Sequence, residues 1–312
     1  MTKIHRIFLA GHRGLVGSSI LRLLKKQKKK QIITASKNKL NLLNQSSTFN
    51  FLKKKKIDTV IIAAAKVGGI KANNTYRAEF LYNNLQIQNN LIHGAYLAGI
   101  ENLLFLGSSC IYPKNSKQPM KEKYLLSGSL EETNEPYAIA KIAGIKMCES
   151  YNFQYRLNYK CLMPTNTFGP NDNYDINNSH FLPALLRKII IAKRTKKKSI
   201  TLWGTGKIKR EVIYVDDIAD AVVFFMNKSI KETFLNIGSG IEMSVSDYAE
   251  IIKKKIYPEL KIKFDNNNKM DGVKRKVMDS SLARKYGWTS KTKINDAIDL
   301  IYKEIKNKDF DV

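Results

Sequence analysis

Acidic residues are scarce: 27 Asp and Glu stand against 54 Lys and Arg in 312 residues, a formal net charge of +27. Such an excess invites a nucleic-acid reading, and the runs Lys25–Lys30, Lys53–Lys56 and Arg194–Lys198 would suit one. Arginine is the second scarcity, and it argues the other way. Only 10 of the 54 basic residues are Arg, whereas base readout and bidentate phosphate contact favour its planar fork. The first two runs also lie near predicted helix ends, where lysines complement the dipole and stay hydrated. The charge therefore reads as a solvated basic surface that also attracts anionic substrates, and no nucleic-acid partner is expected. Cysteine is scarce too. Cys110, Cys148 and Cys161 form no CxxC pair and no His spacing that suggests a metal, so reduced thiols and no metal site are expected. No apolar run approaches the roughly 20 residues of a membrane span, and no N-terminal h-region precedes a cleavage site. A soluble, cytoplasmic protein without a membrane partner follows. There is no internal repeat.

What is present begins with a large apolar fraction, 43% of the chain, enough to bury the core of one unit with a smaller lobe. The chain is organised around Lys3–Gly17, KIHRIFLAGHRGLVG. A short strand, Ile7–Ala10, runs into Gly11, Gly14 and Gly17 and then into a helical pattern, Leu15–Leu24. In that context Gly11 allows the tight turn, Gly14 lets a pyrophosphate approach the backbone, and Gly17 lets helix and sheet pack closely. The helix N-terminus offers N–H groups and positive potential to the phosphates. A glycine turn needed only for packing is the bland alternative.

A second strand, Gln31–Ala35, ends in Ser36, Lys37, Asn38 and Lys39 with no acid at the position that would bind both ribose hydroxyls. Lys37, with Arg13 in the glycine turn, suits a 2′-phosphate and so argues for NADP. Asp58–Ala64 is an apolar strand of the kind a parallel sheet buries, left by a loop, Ala65–Gly69, over the cofactor. One long helix is predicted over Thr75–Ala98 and a strand over Asn102–Leu106. This alternation predicts an α/β fold, a doubly wound parallel sheet of Rossmann type with right-handed crossovers. Further along, Tyr159–Met163 reads as a strand and Pro164–Pro170 as a loop closing over the nicotinamide. Helices are predicted at Phe181–Ala192, Asp216–Asn227, Ser244–Ile256, Leu282–Tyr286 and Ile294–Ile305, with strands at Arg210–Val215 and Thr233–Ile237. Residues 1–169 form the expected dinucleotide-binding domain with 210–239 packing back on it, and 170–209 with 240–312 form the smaller α/β substrate lobe.

The carboxyl ends of strands line the ligand crevice in open α/β sheets, and the fourth strand ends in Gly107, Ser108, Ser109 and Cys110. Downstream, Tyr137 and Lys141 lie four apart on a predicted helix, Pro136–Tyr155, and share a face. There an ammonium can lower the phenol's pKa and orient a ribose while the phenol transfers a proton. YxxxK is common by chance, and a helix-surface pair is its bland reading. It gains meaning from the hydroxyl cluster one strand upstream and the glycine turn at the start. Cys110 alone reads as a small core filler and His180 alone as a satisfied structural histidine; His93, among apolar neighbours, keeps that reading.

The glycine turn, SSC cluster and YxxxK, in this order, resemble the extended short-chain dehydrogenase/reductase superfamily over nearly the whole chain. Longer stretches look like the GDP-L-fucose synthase family, the GDP-4-keto-6-deoxymannose 3,5-epimerase/4-reductases: GHRGLVGS, AAAKVGGI, NNTY, LFLGSSCIYPK, QPMKE, TNEPYAIAKIAGIKMCESYN, MPTNTFGPNDNY, NSHFLPALLRK and REVIYVDD. The resemblance implies Tyr137 as proton donor to the C4 oxygen, Lys141 as its partner on the nicotinamide ribose and Ser108 as the hydroxyl polarising the ketone. It implies Cys110 and His180 as base and acid of the epimerisation. For NADP(H) it implies Gly11, His12, Arg13, Gly14, Leu15, Val16 and Gly17, then Lys37, Asn38, Lys39, Leu40, Asn41 and Leu42. Leu106, Gly107, Ser108, Ser109, Lys141, Pro164, Thr165, Asn166, Thr167 and His180 complete that set. For GDP-4-keto-6-deoxy-D-mannose it implies Lys188, Trp203, Arg210, Asp271 and Lys276, and by the same analogy a homodimer built on the helices at Thr75–Ala98 and Pro136–Tyr155. The chain departs from the family at position 37, where Lys gives a point charge in place of an Arg fork. Two other readings share parts of the pattern. A nucleotide-sugar 4-epimerase or dehydratase would share fold and YxxxK, but a dehydratase wants an acidic pair where Cys110 stands. A dinucleotide-sensing protein would have no need of Ser108, Tyr137 and Lys141 together.

Overall fold

Strands that are apolar along their whole length need cover on both faces, and this chain supplies it. The protein is seen here as a computed structural model that describes residues 5–27, 30–175, 179–266 and 273–310. The first half alternates β1 (His5–Ala10), α1 (Leu15–Lys25), β2 (Lys30–Ile33), α2 (Gln45–Lys54), β3 (Thr59–Ile62), α3 (Ile70–Thr75), α4 (Arg77–Leu97) and β4 (Asn102–Leu106). Then come α5 (Glu135–Tyr155), β5 (Asn158–Pro164), β6 (Asn166–Phe168), α6 (Phe181–Arg194), β7 (Ser199–Leu202), β8 (Lys209–Tyr214) and α7 (Val215–Met226). The chain finishes with β9 (Phe234–Ile237), β10 (Glu242–Ser244), α8 (Val245–Ile256), β11 (Lys261–Phe264), β12 (Arg275–Lys276), α9 (Ser281–Lys285) and α10 (Ile294–Ile305).

Six parallel strands form the main sheet in the order β2-β1-β3-β4-β5-β9. On one face Ile20 and Leu24 of α1 meet Ile218, Val222 and Phe225 of α7 and Trp288. The other face is covered by Leu52 of α2, Leu91 and Ile92 of α4 and Ile145 of α5. This is the expected doubly wound arrangement. Lys160, inside β5 and buried, donates to the carbonyls of Phe225 (3.0 Å) and Lys228 (2.7 Å), setting a cation on the negative end of α7. His93 is structural as expected, its Nδ1 2.6 Å from the Tyr151 hydroxyl.

A second sheet is built on β8, with β10 antiparallel to it and both β6 and β12 parallel to it. Beside it, β7 pairs with β11. Leu182, Leu186 and Ile189 of α6, Tyr248 and Ile252 of α8, and Ile298 and Ile301 of α10 fill the associated core.

The helix predicted over Thr75–Ala98 forms as α4, and one expectation is corrected. A short helix that the sequence reading does not contain, α3, precedes α4, and the two are separated at Tyr76 (φ −108°, ψ 43°). The side chain of Asn73 donates to the carbonyls of Gly68 (2.8 Å) and Gly69 (3.1 Å), tying the first turns back to the preceding loop. The segment predicted as a closing loop, Pro164–Pro170, instead contains β6, and Asn166 adds a side-chain bond to the carbonyl of Glu211 at 2.9 Å. That segment is a fixed wall because its backbone groups are spent on β8.

Candidate active site

The glycine turn holds a space that the chain itself does not fill. Gly11 has φ 86°, and a Cβ there would lie 2.5 Å from the amide nitrogen of Ala64. A Cβ at Gly17 would lie 2.0 Å from the Gly11 carbonyl oxygen, so helix and turn meet only because both are glycine. Gly14 is different. Its φ of −74° is open to any residue, and the one atom within reach of a Cβ is the Gly11 oxygen at 3.6 Å. Nothing within the chain requires glycine at 14, whereas a bound pyrophosphate would. The N-terminus of α1, beginning at Leu15 and Val16, has no side-chain cap and no acid in its first turn. Its N–H groups and positive end therefore suit an external anion. Burial and then the charge of Arg13 lower the pKa of His12.

Beyond β2, Lys37, Asn38 and Lys39 are exposed, as is Arg13, and no acid stands between Ser36 and Leu42. The side chain of Leu40 belongs to the core, and the Leu42 carbonyl is held by Asn90 Nδ2 at 2.8 Å, while Asn41 Oδ1 accepts from Leu43 N–H. Among residues 37–42 the polar side chains, and not the leucines, are therefore the ones placed to meet a ligand. A dinucleotide carrying an extra phosphate fits these residues.

The reactive cluster is assembled where β4 ends. Gly107 N–H donates to the Leu162 carbonyl at 2.9 Å, and a Cβ at 107 would strike the sulfur of Met163 at 2.2 Å. Ser108 is extended, and its Oγ accepts the Cys110 N–H at 3.4 Å, opening a short 3₁₀ turn over Ser109–Ile111. Tyr137, in the first turn of α5, packs edge-on against Phe80 with centroids 6.3 Å apart. Lys141 is only 3% exposed. Its Nζ donates to the Leu106 carbonyl at 2.8 Å and stands 5.6 Å from the Tyr137 ring centroid.

Burial pushes the Lys141 ammonium down to about 8 and the Tyr137 phenol well above its ordinary value. The expected lowering of the phenol by Lys141 is thus corrected. The ammonium is committed to a carbonyl while desolvation and the neighbouring Cys110 act on the phenol, so Tyr137 holds its proton. For Cys110, burial raises the pKa while Lys276, the Ser108 hydroxyl and Lys141 oppose it.

The second sheet brings in the remaining groups. His180 caps the start of α6 through its backbone and is exposed; desolvation and then Lys276 lower its pKa. Lys276 on β12 is the register partner of Arg210 on β8, which bonds the carbonyls of Lys209 (2.9 Å) and Val273 (2.6 Å). Lys188 of α6 lies 4.6 Å from the ring centroid of Trp203, an indole 63% exposed and so open to stacking. Pro164 ends β5, while Thr165 and Thr167 are turned into local bonds, Thr165 Oγ1 to Glu211 O at 3.3 Å and Thr167 Oγ1 to Thr165 O at 3.1 Å. The predicted site residue Asp271 lies outside the described residues. Among the described residues the predicted ones thus include a glycine turn open to an anion, a group of Ser108, Cys110, Tyr137 and Lys141 where β4 ends, and Lys188 beside an exposed indole.

Residues 7–238 match the family described as the NAD dependent epimerase/dehydratase family. The chain belongs to this epimerase/dehydratase family. Among its relatives, GDP-L-fucose synthase 1 of Arabidopsis thaliana is 48% identical, with 96% of this chain and 93% of that protein covered. GDP-L-fucose synthase of Escherichia coli (strain K12) is 45% identical, with 91% of each chain covered. In structure, MlghC, a GDP-mannoheptose C4 reductase from Campylobacter jejuni with NADP bound, superimposes with a TM-score of 0.89 at 35% identity, covering 98% of this chain and 100% of that one.

Three residues packed around the candidate site escape a sequence reading. Glu131, in the polar loop before α5, interacts with Lys276. Phe80 of α4 backs Tyr137. Glu211 is fully buried on β8, its carboxylate accepting N–H groups from Gly240 (2.7 Å) and Met278 (2.9 Å). A charged residue beginning the buried run Glu211–Tyr214 was the one signal available for it.

Proposed function

We propose that the protein is a cytoplasmic GDP-L-fucose synthase, a bifunctional enzyme that epimerises GDP-4-keto-6-deoxy-D-mannose at C3 and C5 and reduces it at C4 with NADPH. What supports this reading is Cys110 beside the hydroxyl of Ser108, whose Oγ accepts its N–H at 3.4 Å, at the end of β4, where the Leu106 carbonyl holds Lys141 at 2.8 Å. A reductase alone needs only Ser108, Tyr137 and Lys141. The high identity to proteins named GDP-L-fucose synthase supports it, as does the NADP bound in the C4 reductase of the same shape.

A ketone at C4 acidifies the protons at C3 and C5, so one base and one acid can invert both centres through enolates. Cys110 takes each proton and His180 returns one on the opposite face. Ser108 and Tyr137 donate hydrogen bonds to the C4 oxygen, where negative charge develops. Bound NADPH would supply the hydride to C4. Tyr137, protonated at neutral pH, then gives its proton to the C4 oxygen, while Lys141 would hold the nicotinamide ribose. Gly11–Gly17 and the start of α1 would hold the pyrophosphate, and Arg13 and Lys37 the 2′-phosphate. Lys188, Trp203 and Arg210 would hold the GDP moiety.

The division into a cofactor domain, 1–169 with 210–239, and a substrate lobe, 170–209 with 240–312, belongs to the same reading. So does a homodimer through α4 and α5, which expose Tyr82, Leu97, Ile139 and Phe153, the last 91% accessible.

The test is Cys110→Ala with the keto-sugar in D₂O. Deuterium should fail to enter C3 and C5, while slow NADPH-dependent reduction gives unepimerised GDP-6-deoxy-hexose. Deuterium uptake equal to that of the unmodified protein would remove Cys110 as the base.

A further inference from the structure

The turn that presents Ser108 and Cys110 is weakly held by its own bonds. Ser108 Oγ accepts the Cys110 N–H at 3.4 Å and the Ser108 carbonyl accepts the Ile111 N–H at 3.3 Å, both longer than the usual range of roughly 2.7–3.2 Å. Anchors on either side of the turn are shorter. Before it, Gly107 N–H donates to the Leu162 carbonyl of β5 at 2.9 Å. After it, Tyr112, only 3% exposed, donates its hydroxyl to Asn236 Oδ1 at 2.5 Å. Burial and then the charge of Glu122 raise the pKa of this phenol, so it keeps the proton it donates.

Asn236 is itself immobilised from several directions. It is fully buried in β9, the strand at one edge of the main sheet, and its backbone N–H is taken by Glu122 Oε1 at 2.9 Å. Its Nδ2 donates to the carbonyls of Met120 (3.0 Å) and Asp279 (3.1 Å). With Oδ1 on Tyr112, both donors and the acceptor of the amide are engaged, and this fixes its orientation: turned over, it would set its oxygen against two carbonyls. Met120 N–H in turn donates to the Val277 carbonyl, and the Met120 carbonyl accepts from Asp279 N–H, each at 2.8 Å. The acceptor for Tyr112 therefore belongs to a network that joins β9 to residues 120–122 and 277–279.

We infer that Tyr112 is a positioning residue for the reduction at C4, fixing through Asn236 the turn that carries the Ser108 hydroxyl. The inference rests on the reading of Ser108 as the group that polarises the ketone. A donor aimed at developing negative charge works best when its direction is set before the charge appears. Between Gly107 on β5 and Tyr112 on β9 the short turn is clamped at both ends, and the Tyr112 hydroxyl is the clamp on the second side. A specific signature follows. If Tyr112 acts through Ser108, losing both hydroxyls costs little more than losing that of Ser108 alone. A Tyr112 that only stabilises the fold would leave the cost of losing Ser108 unchanged.

The experiment is a double-mutant cycle on the reduction of GDP-4-keto-6-deoxy-D-mannose by NADPH, with kcat and the KM for NADPH measured for each protein. Tyr112→Phe leaves the ring in the core, and should lower kcat about tenfold while the KM for NADPH stays within about twofold. Ser108→Ala alone should lower kcat about 10²-fold, the usual cost of one such donor. In the Tyr112→Phe background the same change should cost only about tenfold. Asn236→Ser, which withdraws the acceptor from the other side, should repeat the pattern and provides the comparison should Tyr112→Phe disturb the packing. An unchanged kcat in Tyr112→Phe, or an equal loss on Ser108→Ala in both backgrounds, would overturn the proposal. An unchanged kcat in Ser108→Ala alone would remove Ser108 as the polarising group and this inference with it, so the two failures are told apart.

Discussion

Tyr137 carries the clearest consequence at the scale of single residues. Its phenol is held high by burial and faces Phe80 and Cys110, so at neutral pH it is a loaded donor. Tyr137→Phe removes one oxygen and no packing, so melting temperature should stay close to that of the unmodified protein. The reduction rate should fall by about 10² to 10⁴, the usual contribution of a positioned acid. Near-normal reduction by the folded variant would assign the proton to another group. At this scale the sequence was most informative where spacing encodes shared geometry, as in Tyr137 and Lys141 on one helical face. It was least informative about balance of effects. Residue types alone suggested that Lys141 would lower the phenol, whereas the folded chain spends that ammonium on Leu106 and leaves desolvation in control.

At the scale of elements, long periodic segments were readable and short paired ones were not. The strand Asn102–Leu106 and the helix Ile294–Ile305 occur as predicted, because each carries its own apolar pattern. β10 and β12 went unpredicted because pairing with β8, far away in sequence, holds them in place. The break at Tyr76 depends on Asn73 bonding backward, which periodicity does not report. The glycine turn yields a paired prediction at this scale. Gly17→Ala drives a Cβ into backbone that cannot move aside, and should lower stability by about 1–3 kcal/mol or more, seen as a fall in chemical-denaturation midpoint. Gly14→Ala meets only the Gly11 oxygen, at an ordinary contact distance of 3.6 Å, so stability should change by less than about 0.5 kcal/mol. Its KM for NADPH should nonetheless rise about tenfold or more, since the methyl group would occupy space reserved for the pyrophosphate. Unchanged KM in Gly14→Ala would mean that the turn does not hold the cofactor.

For the whole molecule, the doubly wound sheet ends its strands where the glycine turn and the Ser108 cluster stand, and the β8 sheet carries Arg210 with its cross-strand partner Lys276. The net charge of +27, which first suggests nucleic acid, suits a substrate whose diphosphate is doubly anionic. One measurement bears on all of this together: incubation of the unmodified protein with NADPH and GDP-4-keto-6-deoxy-D-mannose in D₂O, with absorbance at 340 nm followed and the product examined by NMR. NADPH should be lost in step with formation of GDP-L-fucose carrying deuterium at both C3 and C5. Absorbance that does not change, or NADPH consumption that yields only the sugar with C3 and C5 uninverted, would remove the combined epimerase and reductase activity.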